Sequence, residues 1–511
     1  MCRTIGAAKK RTCTYSSTEQ AMTQSRTFKA AILSSGQFLA TLTSLILAAV
    51  LARLFTKEDY AAYRQTLLAY AFVAPLLALG LPQALYYFIP RDKENGRSIL
   101  TSNILLLFLA GGIFAAAMWC GGNELLARRF SNPVLSRLLL IFSPYALLAL
   151  PVSTVSACLM SCDRVKTLAV YNMASRILTV ILIISLVFVW RTPDASISAT
   201  VLAELLIFVP AIILMYRATA GTGWRPNITN IRQQIKYSIP LGLASTLGVI
   251  TLSLDKIIVS SMCTPEQFAV YVNGAIEIPL IGILTGSVTA VLMPDIVQFY
   301  KEGNNAAALE LWKRAAVKCA MILLPVMCFL FFMAPEVMRV LFSAKYADSV
   351  RPFRIYLLLL PIRTVTWGQM LMAAGKTRWV LYITAVTLIL NLALGLIMVR
   401  WMGYIGAAVA TVITIYVWNI PFCVAAISKL YLAPFWSVFP WYKYSKIGLI
   451  SALSSLFCLW PRMLVSSDLF RITLAAPVYV ALVVVLMLKF RLLEKNALVA
   501  ILKRVKLSVL G

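Results

Sequence analysis

The chain has 511 residues, of which 61% are hydrophobic and 13% are charged, and its mean hydropathy is +0.84. Soluble domains carry about 45–50% apolar and about 25% charged residues, so this composition excludes a soluble globular protein and predicts a membrane protein. The 47 Lys+Arg residues exceed the 19 Asp+Glu residues and give a net charge of +28. The basic residues lie mostly between apolar blocks, which indicates membrane topology and not a nucleic-acid partner.

Two residue counts limit the chemistry that the chain can perform. It contains no histidine and ten cysteines, so histidine-ligated metals and histidine-based catalysis or proton relays are excluded. The closest cysteine pair, Cys158 and Cys162, has helical spacing. We interpret the cysteines as small buried apolar residues and not as a zinc site or a disulfide framework. We therefore expect no metal and no cofactor.

The apolar blocks predict an all-α, polytopic membrane protein. Residues 1–25 are basic, lack an apolar core and are predicted to form a disordered cytosolic tail, not a cleavable signal peptide. A membrane-spanning helix needs about 20 apolar residues, and fourteen blocks reach that length. They lie at residues 30–54, 61–89, 99–119, 135–160, 168–190, 196–216, 237–262, 267–293, 315–334, 352–374, 379–400, 403–427, 445–461 and 470–490. No gap between them could hold a soluble catalytic domain.

The lysines and arginines between the blocks predict the orientation. With the N-terminus in the cytosol, thirty basic residues fall on the cytosolic side and twelve on the opposite side. Cytosolic loops of membrane proteins carry the excess of Lys and Arg. The pattern therefore predicts that both termini are cytoplasmic and that the helix count is even.

A short repeat divides the chain into two halves. TKEDYAAY at residues 56–63 aligns with TPEQFAVY at residues 264–271, an offset of 208 residues. Both copies follow the first helix of a six-helix block, so the halves share one orientation. They would be related by an axis along the membrane normal, with a transport site between them. The predicted parts are a tail, a first lobe, a cytoplasmic linker, a second lobe, and a helix pair with a basic tail: residues 1–25, 26–216, 217–236, 237–427 and 428–511.

The motifs around this repeat resemble a known transporter family. LARLFTKEDYAAY at residues 51–63 resembles the start of polysaccharide transporters of the multidrug/oligosaccharidyl-lipid/polysaccharide exporter superfamily, and DKII at 255–258 with FAVY at 268–271 is similar to its second-half counterpart. Further similar motifs are YKEG at 300–303, LFSAKY at 341–346, AAGK at 373–376, LNLAL at 390–394 and GYIGAA at 403–408. The chain departs from the family in having Tyr-Ala or Phe-Ala where Phe-Gly is usual.

The resemblance implies a flippase of the Wzx type. Such a protein moves an undecaprenyl-diphosphate-linked oligosaccharide from the cytoplasmic to the periplasmic leaflet of the bacterial inner membrane, by alternating access and without ATP hydrolysis. It is a transporter and not an enzyme. Its expected partners are the lipid-linked oligosaccharide, membrane lipids and other membrane proteins of polysaccharide assembly. Coupling to a proton or sodium gradient stays open.

Ionisable residues within the predicted spans are the candidate site residues. Each costs a few kcal/mol at the centre of a helix, so it is expected to face a cavity or a partner. A diphosphate headgroup needs cations, and arginine binds phosphate through paired donors. The candidates for substrate binding are Arg363, Arg176, Lys256, Arg53 and Arg64. The candidates for ion coupling or counter-charge are Glu277, Asp255 and Glu204.

Other interpretations remain open at this point. Arg363 with Glu277, and Asp255 with Lys256, could instead be structural pairs or charges that extend to the lipid headgroups. A multidrug antiporter of the same superfamily would need an acidic cavity. A membrane-embedded sugar polymerase or ligase would need a long outside loop with catalytic Arg or His, and a passive scaffold would not need buried charges.

Overall fold

The structure of the protein is a computed structural model, which describes residues 38–39, 41–221, 223–276 and 278–492. Throughout these residues the regular structure is helical, without a strand, which confirms the predicted all-α class. The tail predicted over residues 1–25 lies outside the described residues, as does the chain after residue 492.

The first half of the chain forms nine helices in the described residues, with a π-helical segment at Met118–Gly122. In chain order they are α1 (Thr41–Leu54), α2 (Lys57–Ala78), α3 (Leu81–Arg91), α4 (Gly96–Ala117), α5 (Asn123–Arg129), α6 (Val134–Val152), α7 (Val155–Ser161), α8 (Val165–Trp190) and α9 (Pro193–Ala218).

The second half and the C-terminal region continue the helical bundle. Their helices are α10 (Ile228–Met262), α11 (Pro265–Gly274), α12 (Pro279–Lys301), α13 (Asn305–Phe332), α14 (Ala334–Phe342), α15 (Val350–Leu357), α16 (Trp367–Ala373), α17 (Thr377–Met402), α18 (Tyr404–Ile413), α19 (Ile420–Tyr431), α20 (Trp441–Ser455), α21 (Trp460–Leu464) and α22 (Asp468–Lys489). Short 3-10 or π segments lie at Ala344–Ser349, Ile362–Thr364, Thr414–Asn419, Phe435–Ser437 and Leu456–Leu459.

Ten helical stretches among the described residues are long and apolar enough to cross a membrane. They coincide with ten of the fourteen predicted spans, so the chain is a multi-pass membrane protein. The other four predicted spans correspond to α1, to α10, to the pair α11 and α12, and to the pair α15 and α16. Helix α10 begins within the segment predicted to be a linker, while the division into lobes stays a prediction.

A proline stands at the break in each of two predicted spans. Pro279 stands at the start of α12, where a missing N–H costs nothing, and α11 has already ended at Gly274. The span predicted over 352–374 breaks between α15 and α16, at a turn that contains Pro361 and the 3-10 segment Ile362–Thr364. A proline cannot donate the hydrogen bond that a continuous helix needs there.

The repeated motif starts a helix in both halves. Thr56 caps α2 by accepting a hydrogen bond from the N–H of Asp59, and Thr264 caps α11 by accepting one from the N–H of Gln267. Such caps satisfy backbone donors that the first turn of a helix leaves free. Helices α2 and α11 pack against each other, so the two copies of the motif meet at one end of the molecule, which we call the Thr56 end.

The halves also touch at the opposite end, which we call the Gly80 end. Gly80 has φ +74° at the corner between α2 and α3, and it faces Gly242 of α10. A Cβ on Gly242 would lie 2.1 Å from the carbonyl carbon of Leu79, so the two backbones are in direct contact. Close by, the Thr246 hydroxyl donates to the carbonyl of Pro75 at 3.2 Å. The halves are therefore in contact at both ends of α2.

Candidate functional site

A cavity of about 350 Å³ lies between the two halves, and we call it the central cavity. Helices α1 and α2 form one wall, and α10 and α11 form the other. Its polar and charged lining residues are Thr41, Ser44, Arg64, Ser253, Lys256 and Asn273. The remaining lining is apolar and includes Ala48 and Leu252.

Each half contributes one cation to the central cavity. Arg64 comes from α2 and Lys256 from α10, and both side chains are half-buried. The Arg64 guanidinium carbon lies 5.9 Å from the centre of the Tyr60 ring, within the range of a cation–π contact. The Tyr60 hydroxyl in turn donates to the amide oxygen of Asn273 at 2.8 Å. The cations therefore stand among polar groups that come from both halves.

Asp255 is buried and faces away from the central cavity. The Tyr271 hydroxyl donates to its carboxylate at 2.6 Å, and the Tyr356 hydroxyl also donates to it. Successive residues of a helix point about 100° apart, which explains why the neighbouring Lys256 lines the cavity. Asp255 thus connects α10 to α11 and α15.

Arg176 and Glu204 line a second cavity of about 340 Å³, within the first half. We call it the α8–α9 cavity because these two residues come from α8 and α9. Its other lining is rich in polar groups: Tyr145, Ser153, Ser156, Tyr171, Asn172, Ser175 and Thr179. The structure therefore brings together a predicted cation and a predicted carboxylate that are 28 residues apart in the sequence.

Arg53 lies at the Thr56 end, where it connects the halves. Its guanidinium donates to the carbonyl of Val340, and the Lys345 ammonium donates to the carbonyl of Phe55. Burial and the nearby Lys57 lower the pKa of Lys345.

Arg363 is half-buried in the 3-10 segment between α15 and α16. This turn is held by Tyr444 of α20, whose hydroxyl donates to the Pro361 carbonyl and to the Thr364 hydroxyl at 2.9 Å. Arg363 therefore stands at a helix break and not inside a continuous span. Glu277, its predicted counter-charge, lies outside the described residues, so that pairing stays a prediction.

Several polar residues of these sites were not predicted from the sequence. Ser253 and Asn273 line the central cavity, and Tyr271 and Tyr356 bind Asp255. Tyr271 carried a signal, since it ends the second copy of the repeated motif. Uncharged polar residues are common in membrane helices, so their type alone does not single them out. Among the described residues, no three His, Cys, Asp or Glu side chains are grouped so that they could hold a metal ion.

The fold is shared with transporters of known structure. The lipid II flippase MurJ in an inward closed conformation matches with a TM-score of 0.69 and 18% identity, over 90% of this chain and 99% of that chain. An outward-facing multidrug resistance MATE family transporter of the MOP superfamily matches with a TM-score of 0.57 and 17% identity, over 79% of this chain and 96% of that chain. A MOP superfamily transporter from Pyrococcus furiosus, described as having a binding pocket of reverse polarity, matches with a TM-score of 0.56 and 17% identity, over 79% of this chain and 96% of that chain.

The sequence itself matches one family. A search of curated proteins found no match. The profile of the family described as Polysaccharide biosynthesis protein matches residues 50–351, which include α2–α14 and the central-cavity residues of α2, α10 and α11. With the shared fold, this match confirms the resemblance inferred from the motifs: the chain belongs to the polysaccharide biosynthesis protein family and has the MOP superfamily fold.

Proposed function

We propose that the protein is a flippase that moves an undecaprenyl-diphosphate-linked oligosaccharide from the cytoplasmic to the periplasmic leaflet of a bacterial inner membrane. The observation that carries this proposal is the central cavity, where the two halves each supply one cation, Arg64 and Lys256. The proposed orientation places both termini and the Gly80 end in the cytoplasm, in line with the distribution of Lys and Arg.

The charge of the central cavity suits a diphosphate. An anion that leaves water for a low-dielectric cavity needs cations within hydrogen-bonding reach. Arg64 can donate paired hydrogen bonds to phosphate oxygens, whereas Lys256 supplies a compact charge from the opposite wall. The hydroxyls of Thr41, Ser44 and Ser253 can bind sugar hydroxyls. The second candidate function is that of a multidrug antiporter. The two cations of the cavity disfavour it, because they would repel a cationic drug.

The size of the central cavity implies that the halves must separate during transport. Ligand cavities range over about 300–1,000 Å³, and about 350 Å³ is near the lower limit. An oligosaccharide headgroup therefore needs a wider space than this structure provides. We propose that the contacts at the Gly80 end open for loading and those at the Thr56 end open for release.

Carboxylates are the groups that we propose to couple transport to an ion gradient, since the chain has no histidine. Glu204 shares the α8–α9 cavity with Arg176, and Asp255 is buried against two tyrosine hydroxyls. Glu204 lines a cavity, whereas Asp255 is enclosed by protein. We therefore propose Glu204 as the coupling carboxylate and Asp255 as a counter-charge that fixes helices.

The test is translocation of an undecaprenyl-diphosphate oligosaccharide by the purified protein in liposomes. We expect the double variant Arg64→Gln/Lys256→Gln to transport about tenfold less or worse, because hydrogen bonds to charged groups are worth about 1.5–3 kcal/mol each. The matched control Lys93→Gln/Arg225→Gln removes two exposed cations outside the cavity and should transport like the wild type.

Three outcomes distinguish the alternatives. Equal loss in both double variants would show that the total charge, and not the central cavity, matters. Unchanged transport by Arg64→Gln/Lys256→Gln would move the anion site elsewhere, and Arg363→Ala would be the next variant. Exchange of cationic drugs without movement of the lipid-linked oligosaccharide would replace the proposal with the antiporter.

A further inference from the structure

A large pocket lies at the Gly80 end, outside both cavities described above. It has a volume of about 910 Å³ and lies between the beginning of α13 and the segment that joins α19 to α20. Four cations line it: Lys313, Arg314 and Lys318 from α13, and Lys443 from α20. We call it the basic pocket.

The positive charge of the basic pocket is only partly compensated. Glu310 also lines it, but its carboxylate pairs with Arg314 at 3.1 Å, one helical turn away. Within the part of the chain that the structure describes, Lys313, Lys318 and Lys443 have no carboxylate within 4 Å. Three ammonium groups from two helices therefore face the same space.

The remaining lining is mostly apolar, and the wall that contains Phe439 is fixed by contacts between aromatic rings. Val317 and Met321 continue along α13 towards the apolar part of the helix, and Phe439 faces them. The Phe439 ring stacks on Trp367 with centres 5.1 Å apart and also contacts Trp312 at 6.0 Å. The basic pocket thus combines a charged part with an apolar part.

Aromatic residues indicate that the basic pocket lies at the membrane surface. Trp436 and Tyr442 line it and are 77% and 78% exposed. Tryptophan and tyrosine are enriched where a membrane meets water, because their rings are amphipathic. Both α13 and α20 begin beside these rings, so we expect the lysines to lie at headgroup height and Met321 to lie deeper.

We propose that the basic pocket binds an anionic phospholipid. Its phosphate and acidic headgroup would lie between Lys313, Lys318 and Lys443, and its acyl chains would cover Val317 and Met321. Basic pockets between helices on the cytoplasmic side are suited to such headgroups. This ligand is separate from the transported substrate, and the inference goes beyond the proposed function.

The composition of the basic pocket favours a phospholipid over other anions. Inorganic phosphate would satisfy the lysines but leave the apolar part exposed to water. A zwitterionic phospholipid would cover the apolar part, yet its own cationic group would be repelled by the three lysines. An anionic phospholipid matches both parts.

The test is native mass spectrometry of the full chain in detergent, titrated with phosphatidylglycerol or phosphatidylcholine. We expect tighter binding of phosphatidylglycerol, and a loss of about tenfold or more in Lys313→Gln/Lys318→Gln/Lys443→Gln, because each lysine near an anionic headgroup contributes about a factor of five. The control Lys93→Gln/Lys166→Gln/Lys376→Gln removes the same charge at exposed positions elsewhere and should bind phosphatidylglycerol like the wild type.

Each other outcome would overturn the proposal. Equal loss in both triple variants would indicate non-specific attraction to a basic surface. Equal binding of the two phospholipids, or displacement by inorganic phosphate at similar concentration, would show that the site does not recognise an anionic phospholipid. If the triple variant fails to fold, Lys443→Gln and Lys376→Gln give the same comparison with one exposed residue each. Because the readout is binding, it does not depend on whether the protein flips oligosaccharides.

Discussion

Asp255 and Lys256 are adjacent in the chain, yet their side chains act on different surfaces of α10. Lys256 lines the central cavity, while Asp255 is buried against α11 and α15. A buried carboxylate is tolerated only when its oxygens accept hydrogen bonds, and two tyrosine hydroxyls provide them. At the scale of single residues, the direction of the side chain separates a candidate transport residue from a structural one.

Removing one of these hydroxyls should make the fold of the second half less stable. We expect Tyr271→Phe to lower the free energy of unfolding by about 1–3 kcal/mol, because a buried acceptor loses a partner. Tyr382→Phe is the control, since Tyr382 is 56% exposed, and it should leave stability unchanged. Thermal unfolding in detergent measures both variants. Equal unfolding temperatures for the two variants would mean that the hydrogen bond from Tyr271 to Asp255 does not stabilise the fold.

At the scale of elements, the ends of α2 and α10 determine where the halves touch. The corner between α2 and α3 meets α10 at Gly80 and Gly242, where there is no space for side chains. The starts of α2 and α11 meet at the other end through the repeated motif. These contacts join the halves at the Gly80 end and at the Thr56 end.

A methyl group at Gly242 should disturb the Gly80 end. We expect Gly242→Ala to destabilise the protein by about 1–3 kcal/mol, because its Cβ would overlap the backbone of Leu79 and push α10 away. Gly248→Ala in the same helix is the control: it meets open space and should be neutral or slightly stabilising. Thermal unfolding compares the two, and equal stability would show that the contact is not tight.

We expect two carboxylates of the repeated motif to make the Thr56 end sensitive to pH. The carboxyl groups of Glu58 and Glu266 lie within hydrogen-bonding reach of each other, beside Lys57 and Asp59. A hydrogen bond from the Thr264 hydroxyl is the main cause that lowers the pKa of Glu266. Two carboxyl groups can share a hydrogen bond only while one of them holds a proton. With Glu266 ionised, that proton belongs to Glu58.

We therefore expect the Thr56 end to loosen as the pH rises and Glu58 ionises, because a second ionised carboxylate repels the first. Spin labels would be attached at Arg128→Cys and Asp348→Cys, with the ten native cysteines replaced. Pulsed electron paramagnetic resonance would then measure the distance between the labels and so the separation of the halves. The variant Glu58→Gln keeps a donor at every pH and should show no such shift. A shift of the same size in Glu58→Gln would contradict this origin.

At the scale of the whole molecule, the two halves are in contact at both ends of α2, and the central cavity lies between them. The largest group of buried apolar side chains spans both halves near the Thr56 end, where the rings of Tyr60 and Tyr346 meet at 5.9 Å. The C-terminal helices pack on the second half: Arg339 of α14 pairs with Asp468 of α22 at 2.7 Å. Transport by alternating access would break the contacts at one end while those at the other remain.

The orientation of the whole bundle can be tested by labelling. We expect a single cysteine at Arg128 to react with a membrane-impermeant thiol reagent in intact cells that lack an outer-membrane barrier. A single cysteine at Lys93 should react only after the inner membrane is opened, because Lys93 follows α3 at the Gly80 end. The reverse pattern would invert the proposed direction of transport.

Particular residues show how much the sequence could predict. The spans with continuous apolar runs, such as α8 and α17, were predicted to within a few residues at each end. The break at Pro361 was not, because prolines are common in membrane helices and the turn depends on Tyr444, some eighty residues later. Arg64 was among the candidates, but its place in the same cavity as Lys256 follows from the packing of α2 on α10.

The sequence by itself determined the class of the protein, ten of its predicted spans, its expected orientation and its internal repeat. These properties depend on local composition, since a lipid environment selects apolar helices of fixed length and leaves lysines and arginines between them. Only the tertiary structure decided which charges share a cavity. Helices from distant parts of the chain must pack before Arg64 and Lys256 share a cavity, Arg176 and Glu204 share another, or Lys313 and Lys443 border one pocket.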